Sequence, residues 1–314
     1  MDQILSVCSG IGGLDIGLTN GLRRVGRSPR TVCMVEREVF VVAVLARAMQ
    51  SGRLDDCPVW LGDLRDLPVD ELPRVDWITG GYPCQPFSAA GKRLGDDDPR
   101  HLWPVIFEHV RALRPAGVFF ENVSGHLTLG LDRVLQDLAS CGFRSAFGLY
   151  TAAEVGAPHR RERVFVLGLD DSGSLGHGSD EAVQAGRDTA FGSSPDVADC
   201  NRRRLEELRS SHHENRRDEG RDDACRCDED VADGDESRLE GRGQPEPERA
   251  HEFPTRPGCP QRSDEPPRTV ESGMGRGAHG VPDRVDRLRA LGNAVVPQQA
   301  EHAFVDLWKE LTRC

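Results

Sequence analysis

Residues 80–88 read Gly80-Gly81-Tyr82-Pro83-Cys84-Gln85-Pro86-Phe87-Ser88, and Cys84 in this run has the surroundings for chemistry. It follows the apolar stretch Trp77-Ile78-Thr79, which reads as a strand ending in two glycines and a proline. A thiol on a short, stiff loop at the C-terminal end of a strand is where an α/β enzyme places a nucleophile. Further on, Val118-Phe119-Phe120 runs into Glu121-Asn122-Val123 and sets a carboxyl at a second strand end. A thiol and a carboxylic acid so placed suit covalent attack on a ring, assisted by proton donation. A Pro-Cys pair alone is more often a buried structural cysteine. The elements around it decide between the two readings.

Those elements begin at Ile4-Leu5-Ser6-Val7-Cys8, a short apolar run that predicts a buried strand. It enters Ser9-Gly10-Ile11-Gly12-Gly13 and then a helical pattern carrying Leu14, Ile16, Gly17, Leu18 and Leu22. Strand, glycine turn, helix is the layout that brings main-chain N–H groups and a helix N-terminus close to a nucleotide-like ligand. Thr31 to Val35 predicts a second strand, ending at Glu36, about where an acid meets ribose hydroxyls in dinucleotide folds. Val59-Trp60-Leu61 predicts a third, ending in Gly62-Asp63. A glycine turn alone also serves tight packing; three successive strand ends with a glycine turn, a Glu and an Asp say more.

With these residues in view, the chain resembles a DNA (cytosine-5) methyltransferase over residues 1–170 and again over 281–314. Its opening motif is similar at Ser9-Gly10-Ile11-Gly12-Gly13, its cysteine motif at Gly81 to Ser88, and its acidic motif at Glu121-Asn122-Val123. Its arginine motif is similar at Pro158-His159-Arg160-Arg161-Glu162-Arg163, and its closing motif at Leu291-Gly292-Asn293-Ala294-Val295. The order and separations of these motifs match the family's.

The resemblance implies a role for each matched residue. Cys84 adds as thiolate to cytosine C6 and makes C5 nucleophilic. Glu121 hydrogen-bonds or protonates N3, which requires a raised pKa, as burial away from cations would give. Arg161 and Arg163 are the further catalytic residues, their guanidinium forks suited to the base carbonyl, the phosphates or the Glu121 carboxylate. The implied methyl donor is S-adenosyl-L-methionine. Ser9, Gly10, Ile11 and Gly13 would hold its methionine end, Glu36 its ribose and Asp63 its adenine amino group, with Pro83 and Asn293 also in contact. The loop from Ala89 to Pro99, with Gln85 and Ser88, would close over a flipped base. Arg100 and Trp103 would touch the backbone and the cofactor.

The chain departs from the family pattern in places. The opening motif commonly carries Asp-Leu-Phe where this chain has Ser6-Val7-Cys8, so one aromatic contact to the cofactor is missing. His159 stands where Gln is common and reads as a loop histidine without a catalytic role. Ala294 stands where Ser is frequent. None of these removes a catalytic group.

Composition frames the expected architecture. Residues 1–170 alternate apolar runs with helical patterns, which predicts a doubly wound, mostly parallel α/β sheet, the S-adenosylmethionine-dependent methyltransferase fold that the resemblance implies. The segment 281–314 is expected to return to this domain as a helix over roughly Pro297 to Leu311, with Ala300, Ala303, Phe304 and Leu307 on one face. No apolar run reaches membrane length and no secretory signal pattern opens the chain, so a cytoplasmic protein of a bacterial or phage-infected cell is expected, its ten cysteines thiols.

The interval 171–280 differs. It holds 26 acidic and 16 basic residues and most of the chain's net charge of −12, with Phe191 and Phe253 its only aromatics. Such a stretch buries little and reads as an inserted, poorly ordered segment, which the resemblance makes the target-recognition segment. It carries a two-copy repeat, Asp196-Val197-Ala198-Asp199 and Asp230-Val231-Ala232-Asp233, too few for a solenoid. Cys200, His212, His213, Cys225 and Cys227 have no standard zinc spacing, so no metal is expected. The acidic balance disfavours non-specific DNA binding but is compatible with a locally basic cleft of Lys92, Arg93, Arg100, Arg161 and Arg163.

The expected partners are double-stranded DNA and a cognate restriction enzyme, with no membrane, and the protein is expected to be a monomer. An RNA cytosine-5 methyltransferase on the same fold and a non-catalytic binder are the alternatives. The presence of Cys84, Glu121, Arg161 and Arg163 together argues against the second. A nicotinamide dehydrogenase has no use for Cys84 in its loop.

Overall fold

The computed structural model describes residues 1–83, 102–171, 201–210 and 284–313. The chain divides into two compact units, Met1–Leu208 with Val281–Cys314, and Arg209–Gly280. Only residues 209 and 210 of the second are described, so the fold below is that of the first.

The strands are β1 (Asp2–Val7), β2 (Pro29–Glu36), β3 (Val59–Leu61), β4 (Trp77–Gly81), β5 (Gly117–Val123), β6 (Phe143–Tyr150) and β7 (Arg163–Asp170). The helices are α1 (Gly13–Arg24), α2 (Val39–Gln50), α3 (Trp103–Leu113), α4 (Leu131–Ser140), α5 (201–210), α6 (Arg284–Asn293) and α7 (Pro297–Thr312). The seven strands make one sheet in the order β3-β2-β1-β4-β5-β7-β6. Neighbours from β3 to β5 are parallel, and β7 runs antiparallel to both β5 and β6. This is the expected mostly parallel, doubly wound α/β fold.

Both faces of the sheet are covered, which is why its central strands read as apolar runs. Side chains alternate between two cores at the period of a strand. Ile4, Trp77, Phe119 and Phe165 face a core shared with α1 and α7. Leu5, Val7, Ile78, Val118 and Phe120 face a second core shared with α3 and α4. The chain moves outward through β1, β2 and β3, then returns to place β4 on the other side of β1. The strand order therefore reverses between β1 and β4, where an open α/β sheet leaves a crevice at its C-terminal edge.

The C-terminal segment returns as expected. Ala300, Ala303, Phe304 and Leu307 of α7 are all fully buried. What admits them is a glycine stripe on α1, at Gly13, Gly17 and Gly21, one turn apart on one face. A methyl group at Gly17 would overlap the Ala300 side chain and stand 2.8 Å from the Pro297 carbonyl. One at Gly21 would meet the Phe304 ring at 2.5 Å.

Two elements lie beyond the sequence expectations. Edge strand β6 carries Arg144, Ser145 and Gly148 among its apolar residues, which hides its alternation. Helix α5 falls inside the acidic interval, yet Leu205 is buried in the α3/α4 core. Asn201 Nδ2 donates to the Ser145 carbonyl of β6 at 2.9 Å. Among the described residues no helix is long and apolar enough to cross a membrane.

Candidate active site

The turn between β1 and α1 is shaped by three residues of positive φ, Cys8 (51°), Gly10 (53°) and Gly12 (81°). The left-handed region suits the glycines but is strained for Cys8. Ser9 holds the turn from beneath. Its Oγ accepts hydrogen bonds from the Ser6 hydroxyl at 2.8 Å and from Val35 N–H at 3.2 Å, so the side chain ties β1 to β2. Burial pushes the Cys8 thiol up to about 12, with Glu36 adding to the shift, and keeps it a neutral thiol.

Above this turn, at the switch between β1 and β4, lies a pocket lined by Ser9, Gly10, Ile11 and Gly13, by Gly80 and Gly81, and by Asn293 to Val295. Five residues expected to hold a cofactor (Ser9, Gly10, Ile11, Gly13 and Asn293) thus meet at one place. Glu36, Asp63 and Pro83 are not among its lining residues. Glu36 ends β2 with its carboxylate turned onto the main chain. Oε2 accepts from Gly10 N–H at 2.9 Å; Oε1 accepts from Arg37 N–H at 2.8 Å and Glu38 N–H at 3.0 Å. A carboxylate has about four acceptor sites, so Oε2 keeps room for one more donor, such as a hydroxyl. Asp63 caps the short turn after β3: its carboxylate accepts from Arg65 N–H at 2.9 Å and from the Arg65 guanidinium at 2.9 Å.

One strand further along, Gly81 of β4 lies opposite Glu121 of β5. A Cβ at Gly81 would stand 3.0 Å from Glu121 Oε2, so only a glycine leaves that carboxyl open toward the β4 end. Arg163 Nε, at the start of β7, meets Glu121 Oε1 at 2.8 Å with both side chains largely buried. Burial nonetheless pushes the Glu121 carboxyl up to about 7, against the opposing pull of Arg163 and Arg161. The expectation of a pKa raised by burial holds; that the carboxyl stands away from cations is corrected. The carboxyl lies beside cations, and desolvation outweighs them.

The backbone that leads to Cys84 is fixed by groups the sequence did not single out. Asn122 Nδ2 donates to the Tyr82 carbonyl at 3.1 Å, and the Tyr82 hydroxyl bonds His126 Nε2 at 2.9 Å in the core. Exposed Pro83 follows, and Cys84 lies outside the described residues, as do Gln85, Ser88, the loop 89–99 and Arg100. Trp103 is corrected from a cofactor contact to a core residue. It is buried against Tyr82, Phe107 and Phe120, its indole N–H bonded to Asp137 at 2.8 Å.

Arg161, with φ of 40°, points its guanidinium at the C-terminal segment, bonding the carbonyls of Gly292 (2.8 Å) and Ala294. Fully buried Gln299 donates in return to the carbonyls of Tyr150 at 2.8 Å and Arg161 at 2.9 Å. This reciprocal clamp holds Asn293 at the pocket wall and links it to the Glu121 neighbourhood. The arginine motif therefore divides its labour: Arg163 meets the acid, and Arg161 fixes the segment that closes the pocket. Among the described residues no His, Cys, Asp and Glu cluster could hold a metal. Cys200, His212, His213, Cys225 and Cys227 lie outside them.

The model of the family described as C-5 cytosine-specific DNA methylase matches residues 3–231, and the chain belongs to that family. A type II methyltransferase of Herpetosiphon aurantiacus, M.HgiCII, is 32% identical over 172 residues, 53% of this chain and 37% of the relative. A second, M.NgoMIV of Neisseria gonorrhoeae, is 32% identical over 171 residues, 52% of this chain and 51% of the relative. The chain thus spans between about a third and a half of the length of these relatives. Among solved structures, a DNMT2 variant of Spodoptera frugiperda aligns with a TM-score of 0.46 and 22% identity, over 62% of this chain and 56% of that one.

Proposed function

We propose that this member of the C-5 cytosine-specific DNA methylase family transfers a methyl group from S-adenosyl-L-methionine to C5 of a cytosine flipped out of double-stranded DNA, through a covalent bond between Cys84 and C6. The observation that carries this reading is Glu121: a buried carboxyl raised to about 7, held by Arg163 at the strand end beside the β4 terminus from which Cys84 follows. A carboxylic acid with that pKa is half-protonated near neutrality and can give its proton to N3. As the Cys84 thiolate adds to C6, the ring π electrons move toward C5 and N3, and the Glu121 proton neutralises the charge gathering at N3. S-adenosylmethionine, when bound, supplies the electrophilic methyl group that this C5 takes. Loss of the C5 proton and expulsion of the Cys84 thiolate restore the aromatic ring. The Ser9 to Gly13 turn, Glu36, Asp63, Pro83 and Asn293 would hold the methyl donor. Flipping the base costs a few kcal/mol, about the worth of two or three good contacts to the extruded nucleotide.

The same reading gives residues 171–280 to target recognition, makes the protein a monomer working in the cytoplasm and allows a restriction enzyme as its biological partner. Leu205 limits where that interval can be cut. A deletion that begins after Ser210 keeps α5 and its buried leucine; one that includes α5 exposes the core it covers.

The deciding experiment incubates the protein with labelled methyl donor and, in parallel, duplex DNA and tRNA. Label at cytosine C5 of the DNA is expected. Label in tRNA alone would turn the reading to the RNA enzyme. DNA bearing 5-fluorocytosine should leave a covalent adduct on Cys84, because fluorine blocks the final elimination. Turnover retained in Cys84→Ser would remove Cys84 from the mechanism.

A further inference from the structure

Asp15 stands in the first turn of α1 and lines the pocket together with the glycine turn and Asn293. It is 1% exposed, and neither carboxylate oxygen has a hydrogen-bond partner among the described residues. Burial pushes the Asp15 carboxyl up to about 6, tempered by nearby Ser6 and by its own main-chain N–H. That leaves it mostly ionised at neutral pH. An ionised carboxylate in such a place is costly unless a cation or several donors meet it. The helix N-terminus, the Ser6 hydroxyl and the Asp15 main-chain N–H offset only part of that cost.

The rest of the wall supplies no substitute. Among the described residues, Asp15 is the only acidic one lining the pocket, and no basic one lines it. Glu36, at the end of β2, has spent three acceptor sites on main-chain N–H groups. The strand-end position at which the resembled family carries an acid holds Ser6 here, and Asp15 stands against it. A ligand with an amino-acid end brings one carboxylate and one ammonium. The glycine turn and helix start suit the carboxylate; the ammonium needs an acceptor that the turn does not offer.

We propose that Asp15 accepts the α-ammonium of the methyl donor's amino-acid end, an assignment that rests on the cofactor reading above. It makes Asp15 a specificity residue, one that distinguishes an amino-acid-bearing nucleoside from nucleosides lacking that charge.

The test is titration calorimetry of the full chain with S-adenosylhomocysteine and with its deaminated analogue, on the wild type, Asp15→Asn and Asp15→Ser. Asn keeps the shape and Ser the polarity, and melting curves check that each variant folds. The wild type should prefer the amino ligand by about ten- to hundredfold, the span of one charged hydrogen bond. Both variants should bind the two ligands alike, near the wild type's affinity for the deaminated one. Equal losses for both ligands would make Asp15 a shaper of the turn and overturn the assignment, as would preference retained in both variants. If the wild type binds neither ligand, the cofactor reading falls and this assignment with it.

Discussion

Glu36 and Glu121 both end strands of one sheet and are about equally buried, at 9% and 8% exposure, but their surroundings treat them in opposite ways. The end of β2 turns three main-chain N–H groups onto Glu36, so that carboxylate is built into the turn it braces. The end of β5 gives Glu121 the pull of Arg163 and Arg161, and burial still raises it to about 7. Residue type and strand position are alike; the donors and charges aimed at each carboxylate differ.

The largest effect should come from the β5 side. Glu121→Gln keeps the size and removes the titrating proton, so kcat should fall by about 10²–10⁴-fold. Methyl transfer assays check the rate and calorimetry checks that the cofactor still binds. Wild-type rates in the variant would break the comparison at its root. The pH dependence sharpens it. A donor raised to about 7 works in its protonated form, so turnover should decline as pH rises through about 7. Stability moves the same way: between the ordinary 4.5 and about 7 the folded protein holds a proton that the unfolded chain has released, so rising pH takes stability away. Urea titrations should find Glu121→Gln gaining about 2–3 kcal/mol relative to wild type between roughly pH 5 and pH 8.

On the β2 side the effect should be on affinity rather than rate. Glu36→Gln turns an amide N–H toward main-chain N–H groups and loosens the Gly10 turn. Calorimetry should read cofactor binding weakened by about 1.5–3 kcal/mol. Asp63→Asn, half-exposed and tied to Arg65, should cost less. Unchanged affinity in both would move the pocket elsewhere.

Smaller effects are expected where the C-terminal segment meets both sides. Gly17→Val forces a branched side chain into Ala300 and the Pro297 carbonyl and should cost ~1–3 kcal/mol in a guanidinium titration. Gln299→Leu leaves the Tyr150 and Arg161 carbonyls without their donor and should cost ~1–2 kcal/mol. If the clamp couples the sides, Gln299→Leu should also weaken cofactor binding more than it slows methyl transfer.

Much of this was legible along the chain. Central strands buried on both faces are short apolar runs, and β1, β2, β4 and β5 show plainly as such; edge strand β3 was read from Val59-Trp60-Leu61. Strand β6 escaped because an edge strand keeps its polar Arg144 and Ser145. Helix α5 escaped because Leu205 is one apolar residue in an acidic stretch. The chemical residues were legible by type; Asp15, Asn122, His126 and Gln299 were not. Each matters through a partner far along the chain or, for Asp15, through lacking one, and no local pattern signals either.

The order of strands, glycine turns, acids and arginines was thus determined by the sequence itself, because backbone geometry and apolar periodicity act over neighbouring residues. The tertiary structure alone decided how those side chains are used: that Arg161 reaches across to Gly292 and Ala294, that Arg163 pairs with Glu121, and that burial still wins there. The physical reason is that desolvation and long-range pairing depend on what the folded chain brings around a group. Those surroundings come into being only when strands distant in sequence lie side by side.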